Sequence, residues 1–368
     1  MKKRSKLAGS LINVFLPILL AFGTGAILIL AAGHSPLETY RCLISQSLFT
    51  KDGLMGTLCY ASPLIMTGLA VAITFKAQII NMGVEGQMYI GAFVATWAGF
   101  TFTNLPMAVH LPLCILLAMA AGALFASVAG VFKAVFHINE IVVTLMLNYV
   151  ATIFTEYLTS GPFKQNIGYT ATAKVASSAM LPRLTPSTTL SAAILFAVAC
   201  VPVFWFIYNK TKLGYEVDTI GKNIGFADAA GMNVRRKIMI IMVISGAVAG
   251  LAGATEMLGV HRRFTPTFSS NPGLGWDGML VALMGANNPV GVFVAAIFFG
   301  ALKYGSTTLQ SYVGVPYDII TVIQSLLILF LAVDFVKKNP WAGKTLSSLF
   351  PGKRNGQAAV SSAKEEKL

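Results

Sequence analysis

Long apolar runs divided by short polar stretches set the pattern of this chain. Leu11–Ala32, Leu54–Phe75, Ile79–Phe100, Pro106–Phe132 and Glu140–Tyr157 are the first five runs. Thr189–Tyr208, Ile238–Gly259, Val290–Leu309 and Pro316–Val336 are four more. Each approaches the ~20 apolar residues a helix needs to cross a hydrocarbon core. Trp276–Ala286 is apolar but about half that long, too short to cross straight. Polar segments separate the runs: Gly33–Gly53, Thr159–Pro186, Asn209–Lys237 and His261–Gly275. The pattern predicts an all-α integral membrane protein of about ten transmembrane helices. A basic tail, 1–10, precedes a transmembrane domain, 11–336, and a Ser- and Ala-rich basic tail, 337–368, follows it. The first run is longer than a signal-peptide core and no small-x-small cleavage site follows it, so it is expected to stay as a span.

Lysine and arginine set the expected orientation. With the N-terminus inside and the spans alternating, 19 of the 27 fall on inner segments and 7 on outer ones, with Lys303 inside a span. This bias requires an even number of crossings and favours counting the short element at Trp276 as one. Both termini and the loop 209–237 are then cytoplasmic.

Composition agrees with the membrane reading. The chain has 368 residues, 55% hydrophobic and 11% charged, against about 25% charge in an ordinary soluble domain. A net charge of +13 suggests nucleic acid, but the charges sit in tails and loops between apolar spans, so no nucleic-acid partner is expected. Cys42, Cys59, Cys114 and Cys200 are isolated, and the four histidines show no H-E-x-x-H spacing, so no metal site is expected. Gly343-Lys344-Thr345 matches the end of a P-loop, but Lys338 stands where the first glycine is needed. No ATP site is therefore expected in this chain. Neither paired carboxylates nor a Ser/His/Asp set at catalytic spacing supports a membrane enzyme.

Two polar features carry candidate function. Within 209–237, Asn223 is a good N-cap, Ile224–Ala230 a short helical body, and Gly231 a left-handed terminator. Two turns of helix are too short to stand alone in water, which points to docking, although a well-capped connecting loop accounts for it equally. The second feature is a repeated Gly-x-acid-Gly at the start of an apolar run: Gly83-Val84-Glu85-Gly86 and Gly275-Trp276-Asp277-Gly278. The two occupy corresponding positions if the chain holds two inverted four-helix units, each preceded by one extra span. Glycine-interrupted segments in matching halves are a pointer to a transporter's binding region. Helix packing and N-terminal capping explain the same residues. Glu85, Gln87, Asn148, Trp276 and Asp277 are the candidate pathway residues. Asn148 shares a helix face with Thr144 and suits either a pore lining or a helix contact. Glu156, Glu256 and Lys303 fall near outer span ends, as a vestibule or as interface anchors.

Several of these motifs carry a resemblance. Gly214-Tyr-Glu-Val-Asp-Thr-Ile-Gly-Lys-Asn223 with Ala227-Asp-Ala-Ala-Gly-Met-Asn233 resembles the cytoplasmic coupling loop of bacterial ABC-importer permeases for simple sugars, nucleosides and branched-chain amino acids. Asn81-Met-Gly-Val-Glu-Gly-Gln87, Asn139-Glu-Ile-Val-Val-Thr-Leu-Met-Leu-Asn-Tyr149, Gly275-Trp-Asp-Gly278 and Asn287-Asn-Pro289 are similar to the nucleoside branch. The resemblance covers most of 54–336. It implies a permease subunit in the bacterial cytoplasmic membrane, most like those for nucleosides. The implied partners are a cytoplasmic ATPase subunit carrying ATP and Mg, an extracytoplasmic binding protein, and a second permease, identical or related. It also implies that Gly214, Gly221, Asn223, Ala229, Ala230 and Gly231 form the surface facing the ATPase. Asp218-Thr219 departs from the Arg-Ala often found before the central glycine, which removes the salt bridge that arginine would make. An ion-coupled secondary transporter of a small polar solute, with Glu85 and Asp277 as ion ligands, and a simple-sugar permease stand as alternatives.

Overall fold

Caps written in the sequence start many of the helices. The computed structural model describes residues 19–165, 167–184, 189–270, 273–312, 314, 321–323 and 325–326. Residues 29–320 make one unit, and the described residues 19–28, 321–323 and 325–326 belong to another. Helix α1 is Leu19–Ala31. Then come α2 (Pro36–Leu48), α3 (Lys51–Lys76), α4 (Val84–Thr101), α5 (Met107–Ala134), α6 (Glu140–Ser160) and α7 (Ala193–Lys210). They are followed by α8 (Lys212–Lys222), α9 (Ile224–Ala229), α10 (Val234–Glu256), α11 (Pro266–Ser270), α12 (Leu274–Met284) and α13 (Pro289–Tyr312). Ser35, Thr50, Asn139, Thr211, Asn223 and Asn233 each accept a backbone N–H of the first turn they precede. That satisfies donors a bare helix end leaves open.

Six of the described helices are long and apolar enough to cross a membrane, or seven if α1 and α2 form one bent span. The all-helical membrane class expected above is therefore observed, with no strand among the described residues beyond a single bridge, Arg183 to Ser191. The tails 1–10 and 337–368 lie outside the described residues, as do most of the expected run 316–336 and the first part of 11–32.

Burial separates a core from a periphery. In their most apolar windows α3 is 78% and α10 72% buried, against 17% for α6. Helix α10 packs chiefly on α5 and α4, and α3 chiefly on α13 and α12. Small residues let these helices touch backbone to backbone. Gly246 lies against the carbonyl of Gly122, Gly250 against that of Ala118, and Gly253 against that of Met88, so a Cβ at any of the three would collide.

Two stretches run through the core without being continuous helices. The expected span Ile79–Phe100 is helical only from Val84 (α4), and 77–83 is not helical, with Gln78 in the left-handed region at φ 57°. The second stretch begins where α10 loosens into a π-turn, Met257–His261. It passes Arg262, left-handed at φ 60°, and the short α11, and becomes helical again at Leu274 as α12. Exposed backbone is costly inside a bilayer, so each unwound piece needs internal partners. Met82 N donates to Thr144 Oγ1 (3.2 Å), Met82 O accepts from Asn148 Nδ2 (2.8 Å), and Gly83 N donates to Asn81 Oδ1 (2.9 Å). The loop after α6 does the same for the second piece. Thr172 N donates to Phe264 O, Val175 N to Arg262 O and Leu181 N to Leu258 O, each at 3.0 Å.

The segment 209–237 differs from the expected loop. It holds α8 as well as the anticipated capped helix, which appears as α9 with Asn223 Oδ1 accepting from Phe226 N (2.9 Å) and Gly231 at φ +78°. Gly214 and Gly221 look like helix breakers in sequence. Here they are close-approach sites on the buried side of α8, where a Cβ on Gly214 would strike the carbonyl of Ile207 and one on Gly221 that of Lys76. Pairs at i,i+4, Lys212–Glu216 (3.9 Å) and Asp218–Lys222 (2.5 Å), add the small support such surface pairs give.

Candidate functional site

The N-termini of α4 and α12 meet inside the core. Gly275 lies so close to the backbone of Glu85 that its missing side chain is what permits the approach. Each helix start carries about half a positive charge from its aligned peptide dipoles. Two such ends would repel, and the carboxylate of Glu85, 5% exposed, sits between them. Its Oε2 accepts from Gly275 N in a very short bond and from Trp276 N (3.3 Å), both in the first turn of α12. Its Oε1 accepts from Tyr89 Oη (2.6 Å), one turn along α4. Helix α4 is capped in turn by α6, because Asn148 Oδ1 accepts from Gly86 N (2.9 Å). The junction lies about halfway along the central helices. Ser245, midway in α10, accepts from Asn81 Nδ2 (3.0 Å) and donates to Ala70 O (2.6 Å), while Thr67 Oγ1 of α3 donates to Leu274 O (3.0 Å).

Of the five pathway candidates, three come together. Glu85, Asn148 and Trp276 line one cavity of about 150 Å³ with Tyr89, Tyr149 and Ser269. Trp276 is 42% exposed there, so its indole face is accessible. Gln87 is elsewhere, 1% exposed and in mutual contact with Asn81 (3.2 and 3.3 Å). Asp277 also points away, into a buried ion pair with Lys303 of α13. Lys303 lines a second, larger cavity with Glu256. The capping reading of Glu85 and the lining reading are thus both geometrically open, since one oxygen set serves the helix ends and the residue still borders the cavity. Glu85, Asn148 and Trp276 offer an acceptor, an amide and an aromatic face, the groups that hydroxyls and a flat ring bind. Tyr89 follows Glu85 by four residues and was legible by spacing. Asn81 stood in the motif 81–87 without a role assigned to it, and Ser245 and Thr67 had no local signal.

The six candidate coupling residues sit on one end of the molecule. Gly214 is buried and Gly221 half-buried, both close contacts of α8, and Asn223 is the cap of α9. Ala229, Ala230 and Gly231 are exposed. Around them Tyr215, Ile224 and Phe226 are 64, 47 and 61% exposed. Helix α8 is tied to the core by Glu216, 4% exposed, which pairs with Lys237 of α10 at 2.6 Å. Among the described residues no group of three His, Cys, Asp or Glu side chains is placed to hold a metal ion.

A core of apolar spans with two interrupted segments meeting at mid-depth defines a membrane transport subunit. The chain belongs to the family described as branched-chain amino acid transport system / permease component, whose pattern matches residues 53–332. It is 37% identical over 324 residues to the guanosine ABC transporter permease protein NupP of Bacillus subtilis (strain 168), covering 86% of this chain and 92% of that one. It is 30% identical over 328 residues to the nucleoside ABC transporter permease protein NupB of Lactococcus lactis subsp. cremoris (strain MG1363), covering 87% and 90%. It is also 34% identical over 335 residues to the glucose ABC transporter permease protein TsgB13 of Haloferax volcanii, covering 88% and 87%. No solved structure matches the chain significantly. The resemblance stated from the motifs therefore holds: the chain is a permease of an ABC importer and a multi-pass membrane protein, not an ion-coupled secondary transporter.

Proposed function

We propose that this chain forms the membrane pathway of an ATP-driven importer for nucleosides. The observation that carries the reading is the 37% identity to a guanosine permease across nearly both chains, with a nucleoside permease at 30%. The cavity bordered by Glu85, Asn148 and Trp276 supports it, since an indole suits a base and a carboxylate and amide suit sugar hydroxyls. Pathway contacts should be few and weak, because cargo has to leave again. A simple sugar is the second reading, favoured by the glucose permease at 34% identity.

The chain carries no ATP site or cofactor, and ATP and Mg are held by separate cytoplasmic ATPase subunits. These dock on Ala229, Ala230 and the apolar side chains of Tyr215, Ile224 and Phe226, whose exposure supports a covered surface there. An extracytoplasmic binding protein delivers the cargo, and a second permease, identical or related, faces this one. The transmembrane domain spans 11–336 with ten crossings and both ends cytoplasmic. In this arrangement α3, α4, α5 and their successor α6 form one four-helix unit, and α10, α12, α13 and the run 316–336 form its inverted counterpart. The paired packing of α10 on α5 and α4, and of α3 on α13 and α12, supports that relation.

Vesicles containing this permease with its ATPase and permease partners, supplied with binding protein, test the reading. ATP-dependent uptake of labelled guanosine in preference to glucose is the expected result. Preference for glucose would replace the nucleoside reading with the sugar one, and uptake driven by an ion gradient without ATP would remove both. Single cysteines at Asp228 and Lys174, both exposed, test the orientation: only the second should react with an impermeant reagent added outside.

A further inference from the structure

The larger cavity, about 350 Å³, lies where the end of α10 and the π-turn face α3 and α13. Its size is within the roughly 300–1,000 Å³ of small-molecule sites. It is distinct from the Glu85 cavity and adjoins it. Phe268 and Leu274 line this one, while Ser269, Ser270 and Trp276 line the other, so α11 and the first turn of α12 form the wall between them. The lining is chemically mixed. Glu256, 8% exposed, presents a carboxylate, with His261 Nε2 3.6 Å from its Oε2. Lys303 presents an ammonium, and Thr189, Thr265 and Thr267 present hydroxyls. Tyr60 and Phe268 supply aromatic surface.

Charge decides what such a site accepts. Lys303 is the one cation lining the cavity among the described residues, apart from His261 if protonated, and it is already paired with Asp277. Glu256 lines the same cavity as Lys303, whose ammonium Asp277 already engages. An anionic group entering here would meet a poorly solvated surface without a spare cation, which is unfavourable. Hydroxyl groups meet the opposite situation, because a carboxylate accepts their protons and an ammonium donates to their oxygens.

We propose that this cavity is a recognition site for the sugar of an uncharged nucleoside, with its hydroxyls between Glu256 and Lys303 and its base against Tyr60 and Phe268, and that it rejects the phosphorylated form. The inference rests on the nucleoside reading above. The solute would occupy this cavity before passing the wall segment to Glu85 and Trp276.

Cys59 lines the cavity, with Sγ 3.5 Å from Thr189 Oγ1, and serves as a native reporter. In the reconstituted complex with Cys42, Cys114 and Cys200 replaced by alanine, the rate at which a small methanethiosulfonate modifies Cys59 is measured. Guanosine, guanosine 5′-monophosphate and guanine are the probes, and Thr265→Cys in a Cys59→Ala background gives a second reporter. Guanosine at ten times its half-protecting concentration should slow modification about tenfold, since only empty sites react. The monophosphate and the free base should slow it less than about twofold at that concentration, and Glu256→Gln should remove most of guanosine's protection. Equal protection by the monophosphate overturns the proposal. So does full reactivity of both reporters in vesicles that still take up guanosine. Vesicles that take up no guanosine with ATP and binding protein present would sink the nucleoside reading itself, and this site with it.

Discussion

Replacing Glu85 with glutamine tests whether a single carboxylate holds two helix ends together. The side chain accepts from Gly275 N, Trp276 N and Tyr89 Oη and is 5% exposed. Hydrogen bonds to a charged group contribute about 1.5–3 kcal/mol each. Glutamine keeps one acceptor oxygen, which can still serve Gly275 N, and turns an NH2 toward the hydroxyl of Tyr89. The charge facing two helix N-termini is lost, and a partly buried charge at one helix end contributes up to about 2 kcal/mol. We expect Glu85→Gln to destabilise the permease by about 2–3 kcal/mol. Glu85→Ala should cost about 4–5 kcal/mol, since it also strands buried donors at about 1–3 kcal/mol each. The assay is SDS-induced unfolding in mixed micelles, run alongside guanosine uptake in vesicles. A glutamine variant within about 0.5 kcal/mol of the parent would refute the locking argument, whatever its transport rate. Equal stability combined with slowed uptake would assign Glu85 to the pathway alone.

Three further outcomes follow from the same geometry. Lys303→Met strands the buried Asp277 and should cost about 3–5 kcal/mol, whereas Asp277→Asn with Lys303→Met should recover most of it; unfolding of the two singles and the double in mixed micelles reads the coupling. Gly250→Leu drives a side chain into the backbone of Ala118 and should lose at least about 3 kcal/mol, seen as loss of the monodisperse peak after detergent extraction. Phe226→Glu, at an exposed position, should leave stability within about 0.5 kcal/mol of the parent yet weaken ATPase co-purification tenfold or more, and unchanged co-purification would remove α9 from the docking surface.

What was legible from sequence was local. Asn223 and Gly231 announced α9 because an N-cap and a left-handed terminator act within one turn. The paired Gly-x-acid-Gly motifs stand at the starts of α4 and α12, where Gly275 lets backbone reach backbone. Their acids then diverged in role for reasons no local pattern carries. Glu85 serves a helix start 190 residues away, while Asp277 is drawn to Lys303 on the next helix. Gln87 was grouped with Glu85 because both stand in the motif 81–87. The stretch 77–83 is not helical, and the first turn of α4 places Gln87 against Asn81 rather than at the cavity. Helix α8 was not anticipated: Gly214 and Gly221 entered only as residues of a loop resembling a coupling surface, and their close contacts on Ile207 and Lys76 exist only in the packed molecule.

If the ATPase docks on α8 and α9 as proposed above, the placement of α8 gives its work a route to the interrupted segments. Gly221 rests on the last carbonyl of α3, and Glu216 is clamped to Lys237 in the first turn of α10. These are the two most buried spans. Each holds an interrupted segment by one hydroxyl, α3 through Thr67 to Leu274 O and α10 through Ser245 to Asn81. On that proposal a displacement of α8 would reach both segments through packed helices. Cutting the clamp should separate ATP hydrolysis from transport. Glu216→Gln removes the charge pair with Lys237, and breaking a buried pair from one side costs several kcal/mol because Lys237, 20% exposed, keeps its charge. Glu216→Gln with Lys237→Met removes both charges and should restore stability but not the rigid connection. In vesicles the double variant should bind its ATPase and hydrolyse ATP at near the parental rate, while guanosine taken up per ATP falls severalfold. A parental ratio of uptake to hydrolysis in that variant would show that the stroke travels by another route.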